Sequence, residues 1–144
     1  MGLFDFASNL GKKLFGSDDD PAEKIQEHIE SDNPGIEGLT VSVENGIAMV
    51  SGQAKDQAAY EKAILMAGNV QGIEEVKADG FDILEASTAK VEYYTIQSGD
   101  SLWAIAQKHL GNGNEYTKIF EANKEVIKDP DLIYPGQKIR IPLS

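Results

Sequence analysis

With 144 residues the chain has room for one ordinary domain or two small ones, and 41% hydrophobic with 26% charged residues marks a globular composition. The absence of cysteine excludes disulfides and thiolate metal sites, and no apolar run approaches the length that crosses a bilayer. Twenty-four acidic against 13 basic residues leave a net charge of −11 with no Lys/Arg cluster for phosphate-backbone binding, so no nucleic-acid partner is expected and cations are what the surface attracts.

Leu3, Phe6, Leu10 and Leu14 form the stripe of a short amphipathic helix, with Phe4 and Phe15 widening it and Gly11 placed to end or kink it. A helix of about ten residues does not hold alone in water. Docking on its own protein is therefore expected; a membrane is the less favoured partner because the polar face lacks the basic residues of an interfacial helix. The segment is a poor secretion signal: Lys12 and Lys13 follow the apolar stretch and Asp5 interrupts it. Myristoylation wants Ser or Thr where Phe6 stands. No export signal is visible, and the expected location is the cytoplasm.

After a polar break at 16–20, Asp20-Pro21-Ala22-Glu23 reads as a helix start, with Asp20 as N-cap and Ala22, Ile25 and Ile29 on the buried side. Asp32-Asn33-Pro34-Gly35 stops it. Leu39-Val41-Val43 and Ile47-Met49-Val50 alternate as strands around Asn45-Gly46, the chemistry of a tight hairpin turn. A second helix is expected from about Ala54 to Ala67, with Ala59, Ala63 and Met66 or Ala67 inward and Gly68 as its C-terminal cap. Residues 69–73 are a loop leading into a strand through Val76. The order helix, strand, strand, helix, strand makes an αβ sandwich.

This order, together with Ser51-Gly52 after the hairpin and Gly68-Asn69-Val70-Gln71-Gly72-Ile73-Glu74-Glu75-Val76, resembles the BON domain. The small-residue run Glu85–Lys90 marks a connector. From Tyr94 the run YTIQSGDSLWAIA is similar to the opening of a LysM domain. A strand ends at Ser98-Gly99, Asp100 is placed to cap a helix, and Leu102, Ile105, Ala106 and Leu110 share one face. A helix over 116–123 buries Ile119 and Phe120, and residues 132–142 supply the closing turn and strand. The expected fold is α+β: an N-terminal amphipathic helix and linker (1–19), an αββαβ BON domain (20–84), a linker (85–91) and a βααβ LysM domain (92–144).

Catalysis has little support. His28 and His109 stand on helices with no nucleophile motif nearby, and Asp18-Asp19-Asp20 lacks the spaced ligands of a calcium loop. A non-enzymatic, monomeric binding protein is expected. The full-length arrangement, with its MGLF start, resembles the BON–LysM family of bacterial potassium-binding proteins. That resemblance implies K+ as the ligand, with Rb+ or Cs+ as substitutes, and a change from an open to a compact molecule. Neutral carbonyl dipoles suit a large monovalent ion, and unpaired carbonyls gather at helix C-termini. The expected ligands are therefore the main-chain carbonyls of Ala7, Leu10 and Lys12 from the leading helix and of Gly68, Val70 and Ile73 after the second. The LysM resemblance implies an alternative partner, peptidoglycan or another glycan. Its groove would lie between Gly99, Asp100, Ser101, Leu102 and Asp131, Leu132, Ile133, Tyr134.

Overall fold

The computed structural model describes residues 5–6, 20–87, 90–131 and 133–143. The expected leading helix beyond Phe6, including Ala7, Leu10, Gly11 and Lys12, lies outside the described residues, as does Leu132.

Asp20 caps α1 (Pro21–Glu30): its side chain accepts from the Ala22 N–H at 3.1 Å, and Pro21 occupies the first turn where no donor is needed. Ile25 and Ile29, a turn apart, are fully buried. β1 (Ile36–Glu44) and β2 (Ile47–Ala54) then form an antiparallel hairpin. Its turn places Asn45 at φ +53° and Gly46 at φ +78°, the pair of left-handed residues that the Asn-Gly dipeptide permits. α2 (Gln57–Gly68) starts three residues later than expected. Ala54 is the last residue of β2, because Asp56 takes the N-cap and accepts from the Ala59 N–H at 2.8 Å.

β3 (Glu75–Ile83) runs parallel to β2, giving a three-stranded sheet in the order β1-β2-β3 with α1 and α2 packed on it. The core between them holds Ile25, Ile29, Val50, Ala63, Ile64 and Val76.

The second unit opens with β4 (Val91–Thr95), antiparallel to the closing β5 (Lys138–Pro142). Between them lie α3 (Leu102–Leu110), a short 3-10 turn at Gly113–Glu115 and α4 (Tyr116–Ala122). Ser101, not the expected Asp100, caps α3, its hydroxyl accepting from the Ala104 N–H at 3.1 Å. Asp100 is occupied one step earlier, accepting from Tyr94 Oη at 2.5 Å and the Gln97 N–H at 2.8 Å. Ile96, Leu102, Ile105, Ile119, Ile139 and Ile141 form a separate core. Among the described residues no helix is long and apolar enough to cross a membrane.

Candidate functional site

The N-terminal segment comes to the carbonyl end of α2. Asp5 forms an antiparallel bridge with Glu75, and the Phe6 N–H donates to the Glu74 carbonyl at 2.9 Å. Residues 5 and 6 are thus extended at the start of β3 instead of helical, because a strand edge offers their backbone partners. The Phe6 ring is buried and seated on Gly68: a β-carbon built there would lie 2.1 Å from its Cζ. Gly68 is therefore not the C-terminal cap expected of it. It is the last helical residue, and Asn69 is the C-cap, at φ −79°. What Gly68 supplies is room.

Three of the expected oxygens lie on the last residue of α2 and the short loop that follows it. Val70 and Ile73 anchor that loop through fully buried side chains, and the Ile73 N–H donates to the Val70 carbonyl at 3.1 Å. Glu74 fastens its far end, its N–H donating to Gly46 at 2.8 Å. A carbonyl oxygen has two lone pairs, so the Val70 oxygen keeps capacity for a second partner. The loop also follows the C-terminus of α2, where the helix dipole places partial negative charge. Residues 68–73 therefore suit a monovalent cation in donor type and field. The partner oxygens of Ala7, Leu10 and Lys12 lie outside the described residues, one residue and more beyond Phe6.

β5 reaches the same spot. Lys138 is 1% exposed; its ammonium stands 4.6 Å from the Phe6 ring centroid and donates to the Asp5 carbonyl. Burial lowers its pKa from the usual 10.5, opposed by the charge of Asp5. Among the described residues no three His, Cys, Asp or Glu converge as metal ligands.

The residues of the expected glycan groove are largely engaged within the protein. Asp100 and Ser101 make the turn and cap bonds above, and Gly99 takes φ +88° in the turn. Leu102 is in the second core with Ile133 packed against it. The Asp131 N–H donates to Asp129. Tyr134 points across the molecule, its hydroxyl donating to the Asn69 carbonyl at 3.2 Å. His109 pairs Nδ1 with Glu92 at 3.4 Å, and His28 lines a cleft of 190 Å³ between the two units with Tyr134 and Lys128.

Comparison with known proteins agrees with this architecture. The BON domain model matches residues 17–84 and the LysM domain model residues 94–142. The potassium binding protein Kbp of Escherichia coli O6:H1 is 42% identical over 149 aligned residues, covering 99% of both chains. The chain belongs to this BON–LysM family. More partial likenesses include an uncharacterized protein of Deinococcus radiodurans, 37% identical over 54% of this chain and 33% of that one. The resuscitation-promoting factor Rpf of Micrococcus luteus is 39% identical over 35% of this chain and 22% of its own.

The BON and LysM halves meet across the outward side of β5. Arg140, 8% exposed, pairs Nε with Glu61 Oε1 of α2 at 2.8 Å and donates from a guanidinium nitrogen to the Ala122 carbonyl at 2.9 Å. Tyr93 of β4 faces the same carboxylate; burial first, and then Glu61, raise its pKa above the usual 10.0. Lys62–Glu125, at 2.7 Å, and Lys128–Asp32 bridge the halves further out. Tyr93 and Val126 of the LysM half pack against the BON core. Sequence reasoning missed these residues because an alternating strand such as Lys-Ile-Arg-Ile reads as half solvated. Here its polar side is covered by the other domain.

Proposed function

We propose that the protein is a cytoplasmic potassium sensor of the BON–LysM family, binding K+ through main-chain carbonyls and closing into a compact form without chemistry. The observation that supports it best is the seat of Phe6 on Gly68. It brings Phe6 against the end of α2, where the expected Gly68, Val70 and Ile73 oxygens follow one another in the chain. The name of the full-length relative points to the same ion.

The chemistry follows from size and charge. K+ is large and singly charged, so neutral oxygens replace its hydration shell at little cost, whereas small divalent ions favour carboxylates. The site is built from two segments that are distant in sequence. An ion bridging them stabilises the form in which they meet, by about 2.7 kcal/mol at 100 times its dissociation constant. A domain this small draws only about 3–5 kcal/mol from its core, so the ion's share decides whether the segments dock. The excess of acidic residues works in the same direction, since bound cations reduce self-repulsion.

Thermal unfolding at matched ionic strength tests the reading. K+, Rb+ and Cs+ are expected to raise the melting temperature more than Na+ or Li+. Equal shifts with every monovalent salt would reduce the effect to screening. The LysM match supports a second reading, an envelope adaptor that binds peptidoglycan. Retention on purified peptidoglycan, released by chitin fragments, would favour it.

A further inference from the structure

Asn69 sits inside the stretch 68–73, to which the potassium reading assigns three carbonyls, yet its side chain belongs to the other domain. Its Nδ2 donates to the Lys138 carbonyl at 2.7 Å, and its Oδ1 accepts the Lys138 N–H at 2.7 Å. Its own carbonyl accepts from Tyr134 of the LysM half. Two residues along β5, Asn123 makes the same pair of bonds to Arg140, at 2.7 and 2.8 Å. One edge of β5 pairs with β4; along the other, among the described residues, no strand is paired. Two asparagine amides stand there in series instead, one from each domain. An amide carries both a donor and an acceptor, so each satisfies a complete backbone position of the strand. Asn69 is 7% exposed and Asn123 fully buried, so these groups have little water to turn to.

The consequence lies in the backbone. The Asn69 side chain reaches β5 with its backbone at φ −79° and ψ 29°: φ orients the preceding peptide, which carries the Gly68 carbonyl, and ψ the following one, which carries Asn69's own carbonyl and leads into Val70. We propose that Asn69 is the positioning residue that couples the ion loop to the LysM domain, an inference that rests on the potassium reading. A loop shaped for the ion is then the loop that completes β5. By linkage, docking of the LysM domain tightens ion binding as much as the ion favours docking.

The test uses the full chain with Asn69→Ala, Asn69→Asp and Asn123→Ala, each titrated calorimetrically with K+ and followed by small-angle scattering. Asn69→Ala is expected to weaken K+ binding roughly tenfold, within the range of typical coupling, and to blunt K+-dependent compaction. Asn69→Asp separates coupling from charge. An added carboxylate alone would tighten cation binding, so weaker binding in this variant supports the lost donor to Lys138 as the cause. Asn123→Ala removes the equivalent bonds within the LysM half. It is expected to lower the melting temperature while leaving affinity within about twofold, since its partners touch no ion-loop residue. Wild-type affinity in both Asn69 variants, or an equal loss in Asn123→Ala, would overturn the coupling while leaving potassium binding intact. Absence of K+ binding by the unaltered chain would instead end the underlying reading and this one with it.

Discussion

Gly68 decides whether Phe6 has a seat. Alanine in a helix interior is ordinarily favoured over glycine by about 0.8–1 kcal/mol, but here its methyl would fall within the Phe6 ring. Forcing extra volume into a packed site costs about 1–3 kcal/mol, so the clash outweighs the propensity. Gly68→Ala is expected to lower the melting temperature and lose the K+-specific increment; a more stable variant with that increment intact would refute the assignment. Tyr93 provides a second residue-level test. Its phenol stays neutral in the folded chain, held there by burial and the Glu61 charge, while the unfolded chain ionises near pH 10.0. Its contribution is therefore fully present below that pH and is lost as pH rises above it. Urea unfolding of Tyr93→Phe from pH 9 to 11 is expected to show a shallower alkaline decline than the parent; parallel declines would count against a phenol held neutral in the fold.

The elements were largely legible. Asp20-Pro21 and Asn45-Gly46 fixed a helix start and a hairpin because each acts through its own backbone, and both behave as local chemistry requires. The misreadings came where a neighbour intervenes. Asp56 displaced the start of α2, Ser101 displaced Asp100 as a cap, and an edge of β3 drew residues 5 and 6 out of a helix. β5 shows the same limit, since its Lys138 and Arg140 alternate with isoleucine as though facing water and are instead buried. The α2–β5 junction is testable as a pair. Arg140→Met leaves Glu61 buried beside Tyr93 without its cation, and loss of one member of a buried pair costs about 3–5 kcal/mol. Arg140→Met combined with Glu61→Leu is expected to recover much of that loss, as read from a denaturant double-mutant cycle. A single-variant loss below about 1 kcal/mol would show the pair to be dispensable.

At the scale of the whole molecule, the two domains share polar contacts that neither needs for its own core: Asn69 with Lys138, Glu61 with Arg140, Lys62 with Glu125. Polar contacts of this kind hold a surface together only while their geometry is complete. Two domains were readable from turn and strand patterns because each is locally consistent. The ion site was less so: carbonyl oxygens are common to every residue type, so the resemblance named the ion and the end of the second helix pointed to Gly68, Val70 and Ile73 without selecting among neighbouring oxygens. The resemblance gave no hint that Asn69 would lie between the ion loop and β5, since that contact spans 69 residues of sequence. The central claim is that potassium is held where the N-terminal segment meets the loop after α2. The most direct measurement is calorimetric titration of K+ and then Na+ into the full chain and into a chain beginning at Asp20. Saturable heat with K+ alone, present in the full chain and lost on truncation, is the expected result. Equal K+ binding by both chains, or indistinguishable responses to the two ions, would contradict it.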